Sequence, residues 1–195
     1  MNHTRALLLA CALAAFGATL PAHASQDDPK PLRAADLSGL HDFDFRVGTW
    51  IAHHRRLKAR LAGSHAWETF DGTQTWWKAM DGYANVDDNV FHMPGGDVRG
   101  VTLRARDPAS GQWAIWWLDG RNPFGHLDPP VKGRFVAGVG TFYADDTLRG
   151  RPIRVRSIWS HITPTSAHWE QAFSADGGKT WETNWITDFE RPPGD

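Results

Sequence analysis

Apolar and polar positions alternate along most of this chain, in short segments separated by turn signals. The signals are Ala62-Gly63-Ser64, Asp81-Gly82, Pro94-Gly95-Gly96-Asp97, Asp107-Pro108-Ala109-Ser110-Gly111, Thr163-Pro164-Thr165-Ser166 and Ser174 to Trp181. The segments between them carry Trp, Val, Phe and Thr, and sustained apolar spacing of three and four residues is missing. That periodicity belongs to strands rather than helices. The stretch from Arg46 to Leu61 is rich in Arg and Ala and has helical propensity. It opens with Val47-Gly48-Thr49-Trp50 and leads into a Gly-Ser turn, so it too reads as a strand. The pattern predicts an all-β fold, an antiparallel up-and-down barrel of about eight to ten strands joined in sequence order. A β-sandwich is the main alternative.

Ser174-Ala175-Asp176-Gly177-Gly178-Lys179-Thr180-Trp181 fits Ser-x-Asp-x-Gly-x-Thr-Trp, the Asp-box of sialidases and other β-proteins. The Asp bonds nearby backbone and the glycines supply positive φ, so the motif predicts a hairpin between flanking strands. It implies no chemistry, because a single copy cannot build a propeller.

Arg5, the apolar run Ala6 to Leu20 and Ala22-His23-Ala24 before Ser25 predict a secretory signal peptide over residues 1–24. A lipoprotein reading through Cys11 fails on layout, because the apolar run continues past that residue. Cleavage removes the only cysteine, leaving no disulfide, thiol nucleophile or thiolate metal site. The expected location is periplasmic or secreted. Residues 25–40 read as a flexible leader and 41–191 as a single domain. The processed chain carries 20 basic against 22 acidic residues. No basic block suggests nucleic acid, and no remaining segment is long and apolar enough to span a membrane.

Gly48-Thr49-Trp50 resembles the Gly-x-Trp of lipocalins and their calycin relatives. In that group the Trp closes the barrel bottom against a basic residue after the last strand, a role that Arg191 matches. The stretch from Phe43 to Arg191 resembles more specifically a bacterial family of lipocalin-like domains of unknown function. The resemblance rests on Phe43-Asp44-Phe45 with Gly48 and Trp50, on Asp145 to Arg156, and on Trp169 to Ser174 running on to Asn184-Trp185. It implies a fold and no reaction.

A four-residue loop at Thr163 to Ser166 places His161 opposite His168 and Ser160 opposite Trp169. With Phe173 opposite Trp181, Trp169 faces Trp185. One face then carries Trp169, Gln171, Phe173, Trp181, Thr183, Trp185 and Phe189, the expected interior. In that register Arg154 and Arg156 also point inward, with Ile153, Val155 and Trp159 outward. Interior arginines would form a clamp for a ligand carboxylate, sulfate or phosphate, as in fatty-acid-binding members of the calycin group. A one-residue bulge would reverse the faces and put both arginines in solvent, so both registers remain open.

A second candidate lies at the barrel mouth. Pairing Leu103 with Ile115 sets Val101 opposite Trp117 and Arg99 opposite Asp119. The long loop that follows carries Arg121, His126 and Asp128, a polar rim or merely a solvated loop. His53 and His54 are adjacent and point to opposite faces, and His161 with His168 and Glu170 makes only a rim pair, so no metal site is expected. No histidine is placed on the inner face near its centre, so haem is not expected, nor is another cofactor. Of the eleven tryptophans, Trp50 and Trp181 read as core filler and Trp117, Trp169 and Trp185 as pocket wall. The candidate ligand-binding set is therefore Arg154, Arg156, Trp117, Asp119, Arg121, Trp169 and Trp185.

Three functions fit. The first is an exported barrel binding a small amphipathic, anionic molecule. The second is a small-molecule isomerase, cyclase or hydrolase at the mouth, using His126 with Asp119 or Asp128. The third is a filled envelope protein. The sequence does not choose an oligomeric state.

Overall fold

A computed structural model describes residues 38–194. The expected signal peptide and most of the leader lie outside these residues. Ten antiparallel strands follow in chain order: β1 (Gly48–Leu57), β2 (Trp67–Ala79), β3 (Ala84–Met93), β4 (Gly96–Asp107), β5 (Gln112–Asp119), β6 (Val131–Val136), β7 (Val139–Leu148), β8 (Arg151–Ser160), β9 (Ser166–Ser174) and β10 (Glu182–Glu190). Each pairs with the next and β1 closes on β10, giving an up-and-down barrel of the lipocalin-like kind. Helix among the described residues is confined to two three-residue 3-10 turns, Asp44–Arg46 and Met80–Gly82. No described helix is long and apolar enough to cross a membrane.

One end is plugged by aromatic rings. The segment before β1 inserts Phe43, whose ring meets Trp113 edge-on at 5.2 Å and Phe135 at 5.0 Å. Trp50, fully buried, donates from Nε1 to the Arg46 carbonyl at 2.9 Å. The Arg191 guanidinium covers the Trp50 ring at 4.0 Å. Gly48, at φ +99°, opens the strand there, and a β-carbon at that position would stand 2.8 Å from Arg191 Nη1. A side chain has neither the conformation nor the room.

Strand faces depend on register, and three registers differ from the sequence reading. In the β8–β9 hairpin Ser160 stands opposite His168 and Trp159 opposite Trp169. His161 takes a positive φ of 48° and joins the connection, so the loop is one residue longer than the turn signal implies. That slip turns the whole of β8 over. Ile153, Val155, Ser157 and Trp159 face the interior, buried, while Arg154 and Arg156 sit outside. Arg154 pairs with Asp145 at 3.4 Å. Arg156 approaches Glu170 at 3.9 Å and covers the Trp181 ring at 4.6 Å. The inward placement of both arginines is thus corrected; the hydrophobic pattern of β8 prevails because it buries three large apolar side chains and leaves the charges hydrated.

The β4–β5 hairpin slips likewise. Gly111, at φ +67°, donates its N–H to the Asp107 carbonyl at 2.8 Å, which adds one residue to the turn. Leu103 therefore meets Trp116 rather than Ile115, and Asp119 meets Gly100 rather than Arg99. Between β9 and β10 a bulge at Thr183–Trp185 sets Trp185 opposite Gln171 and Phe173 opposite Glu182. Trp181 is not core filler but packs outside near Tyr143, ring centroids 6.0 Å apart.

Candidate functional site

Above the aromatic plug lies a cavity of about 630 Å³. Phe91, Trp117, Trp169, Trp185, Phe173 and Val155 form its apolar wall. The Trp169 and Trp185 rings meet at 79° with centroids 6.1 Å apart, and Phe91 lies 5.8 Å from both Trp185 and Trp117. Gly100 makes space for Trp117, since a β-carbon there would stand 2.3 Å from the indole. The three tryptophans of the sequence reading thus share one pocket.

The cavity also meets the side of the barrel. The short β6 pairs with β5 only from Trp113 to Ile115, and with β7 only as far as Tyr143. Beyond those points β5 and β7 flank a thin part of the wall, where Trp116, Arg121, Asp128, Asp146 and Thr147 line the cavity. Arg121 grips Asp119 through Nε at 2.9 Å and Nη2 at 2.5 Å. Hydrogen bonds from Arg121 hold the Asp119 carboxyl below its ordinary pKa. Asp119 is therefore an anchor for Arg121, and His126 is exposed and does not line the cavity.

Two further arginines reach the rim. Arg56 is spoken for: its Nε donates to Glu68 at 2.7 Å, and its guanidinium lies 5.0 Å from the Trp185 ring. Arg60 has no carboxylate partner among the described residues, and its buried Nε makes no hydrogen bond. Burial pushes its pKa down from the ordinary arginine value, with neighbouring Arg56 adding to the effect.

The floor is polar and charged. Arg104, buried, donates from Nη1 to Asp87 Oδ2 at 2.6 Å and lies 3.7 Å from the Trp76 ring centroid. Asp87 is fully buried and also accepts from Asn89 Nδ2. Asn89 in turn accepts from Gln74 Nε2, and Gln74 Oε1 accepts from Arg46 Nη2 at 2.6 Å. Arg46 has no exposed surface and is enclosed by Phe189 at 3.8 Å and Trp50 at 4.5 Å. Burial pushes both guanidinium groups down in pKa, while the Asp87 charge opposes the shift. Ring faces supply the remaining compensation.

His54 corrects the expectation of an interior without histidine. It projects inward from β1, lines the cavity and stacks on Phe70 at 4.8 Å. Its Nδ1 lies 2.8 Å from the Thr187 hydroxyl and also accepts from Trp185 Nε1 at 3.3 Å. Burial lowers its pKa to about 3. Its Nε2 is sealed and unpartnered, at the place where Gly72 leaves room. Among the described residues no three His, Cys, Asp or Glu side chains converge as a metal-binding group.

Sequence reasoning missed Arg60, Arg104, Asp87, Asn89 and Gln74. The available signal was the alternation of Asn85, Asp87 and Asn89 with aliphatic Val86 and Val90. It reads outside-in, because the strand's polar face is the buried one.

No protein-family model matches the chain, and no curated protein matches it. Among solved structures, the S-type phycobiliprotein lyase CPES from Guillardia theta is similar, with a TM-score of 0.56 over 86% of this chain and 100% of that one. Sequence identity is 10%. The likeness establishes the fold.

Proposed function

We propose that this protein is an exported binding barrel for a small amphipathic, anionic molecule. One observation carries the reading: an aromatic-walled cavity of about 630 Å³ lined by an arginine, Arg60, that makes no ion pair among the described residues, although Glu68 and Glu182 lie within electrostatic reach. Volumes of this order suit drug-sized ligands, whose apolar bodies rest on rigid aromatic walls. The indoles of Trp117, Trp169 and Trp185 take the body, and Arg60 replaces Arg154 and Arg156 as partner of the acidic group. A cavity of this size speaks against a filled envelope barrel. Binding is favoured over catalysis because His126 lies off the cavity and His54 Nε2 is sealed. The similar solved structure, named a lyase, supports the shape alone. The motif resemblance to bacterial lipocalin-like domains is consistent with a binding barrel, and the Ala-x-Ala signal supports export.

Native mass spectrometry of protein purified from its own host tests the proposal. A co-purifying acidic small molecule is expected, lost on Arg60→Met together with roughly tenfold or more in affinity, since a charge-assisted bond contributes ~1.5–3 kcal/mol. A ligand-free protein whose tryptophan fluorescence ignores acidic amphiphiles rejects it. Export is tested separately, by a periplasmic N-terminus at Ser25.

A further inference from the structure

The hydrogen bonds of the floor run in one direction. Gln74 Oε1 faces two groups that can only donate, Arg46 Nη2 at 2.6 Å and Trp76 Nε1 at 3.1 Å. This fixes the amide, so Nε2 faces Asn89 Oδ1 and Asn89 must donate onward to Asp87. Asn89 Nδ2 also reaches Thr102 Oγ1 at 3.4 Å, leaving the threonine proton unused. Arg104 spends Nη1 on Asp87 and on Asn85 Oδ1 at 3.3 Å, while its Nε is sealed without a partner. Its Nη2 makes no hydrogen bond among the described residues, and Arg104 lines the cavity.

Three groups that face the cavity therefore retain donors: Arg104 Nη2, the second amide hydrogen of Gln74 and the Thr102 hydroxyl. Arg46 and Arg104 against Asp87 leave this buried floor one positive charge in excess. A methyl group pressed onto this surface would strip Arg104 of solvent and return no acceptor. An oxygen anion would meet every remaining donor in a medium where charge-assisted bonds are strong.

We propose that the floor of Arg104, Gln74 and Thr102 is a carboxylate subsite, and that the ligand is an apolar-bodied molecule with an acidic or strongly accepting oxygen group at each end. One end meets this floor and the other meets Arg60. The inference rests on the ligand-binding reading above and adds the class of molecule.

Calorimetric titration of the purified protein with dodecanoate, ω-hydroxydodecanoate and dodecanedioate tests it. The diacid binds roughly tenfold or more tightly than the monoacid, with the hydroxy acid between them. Arg104→Met would strand Asp87, so the diagnostic variant is Thr102→Val, which keeps shape and leaves Asn89 bonded to the Gly100 carbonyl. It narrows the diacid advantage to a few-fold without lowering the thermal midpoint, and Arg60→Met weakens both acids alike. Equal binding of monoacid and diacid, or an advantage that survives Thr102→Val, overturns the subsite while leaving the binding barrel standing. Failure of all three probes to bind overturns both.

Discussion

The Arg191 guanidinium lies 4.0 Å from the centroid of the Trp50 ring and donates to the Val47 carbonyl at 2.8 Å and the Thr49 carbonyl at 3.1 Å. The residue after the last strand thereby locks the start of the first. This clasp holds the closed end against the weight of aromatic packing above it. Trp50→Ala is expected to destabilise the fold by ~3–5 kcal/mol, the usual cost of emptying a large aromatic site. Arg191→Met is expected to cost less, about 1–3 kcal/mol, because the ring stays buried while carbonyl partners are lost. Urea unfolding monitored by tryptophan fluorescence checks both values and their order.

Val155 points into the cavity beside Phe173 and is 6% exposed. Val155→Asp is expected to prevent folding, since an isolated carboxylate there loses several kcal/mol of hydration. Arg154→Met and Arg156→Met are expected to fold normally and leave ligand affinity unchanged. A soluble Val155→Asp protein with a native thermal transition refutes this register.

Adjacent histidines are expected to act on stability in opposite directions. Burial holds the His54 pKa at about 3, against an ordinary value of 6.5. Between those values the unfolded chain takes up a proton that the folded one refuses, so stability falls as pH drops, by up to about 1.4 kcal/mol per pH unit. His53, outside, has a raised pKa through its hydrogen bond with Asp71 at 2.8 Å and a weaker one with Glu190. Its contribution is present below pH 6.5 and fades as pH rises through the raised folded value. In urea titrations across pH, His54→Phe should flatten the acid limb and His53→Gln the limb above it. An unchanged acid slope in His54→Phe removes His54 as its source.

Asp176 accepts from the Lys179 and Thr180 amides, both at 3.0 Å, and from the Thr180 hydroxyl at 2.6 Å. These bonds, the threonine hydroxyl first, hold its carboxyl well below the usual carboxylate range. Asp176→Ala is expected to speed hydrogen exchange at the Lys179 and Thr180 amides without changing protection in β1 or β3. Unchanged exchange at those two amides contradicts the capping role.

Several features could be read from local sequence because each rests on a short-range constraint. Alternation and turn residues predicted strands and their order, and Gly48-Thr49-Trp50 with Arg191 marked the closed end. Trp117, Trp169 and Trp185 were read as pocket wall because each stood on the expected inner face beside polar neighbours, and all three line the cavity. The faces of β8 and β4 were decided elsewhere. His161 and Gly111 each adopt positive φ and lengthen a turn by one residue, and a side-chain period of two converts that residue into an exchange of faces. The floor depended on tertiary structure for a second reason. Asp87, Asn89, Gln74 and Arg104 come from three strands, and polar residues of this kind read as solvent-facing until closure of the barrel places them against one another. Sequence alone determined the strands and the end that closes; only the closed barrel determined which charges face the cavity, because burial of Asp87 and Arg104 is tolerable only once each has the other.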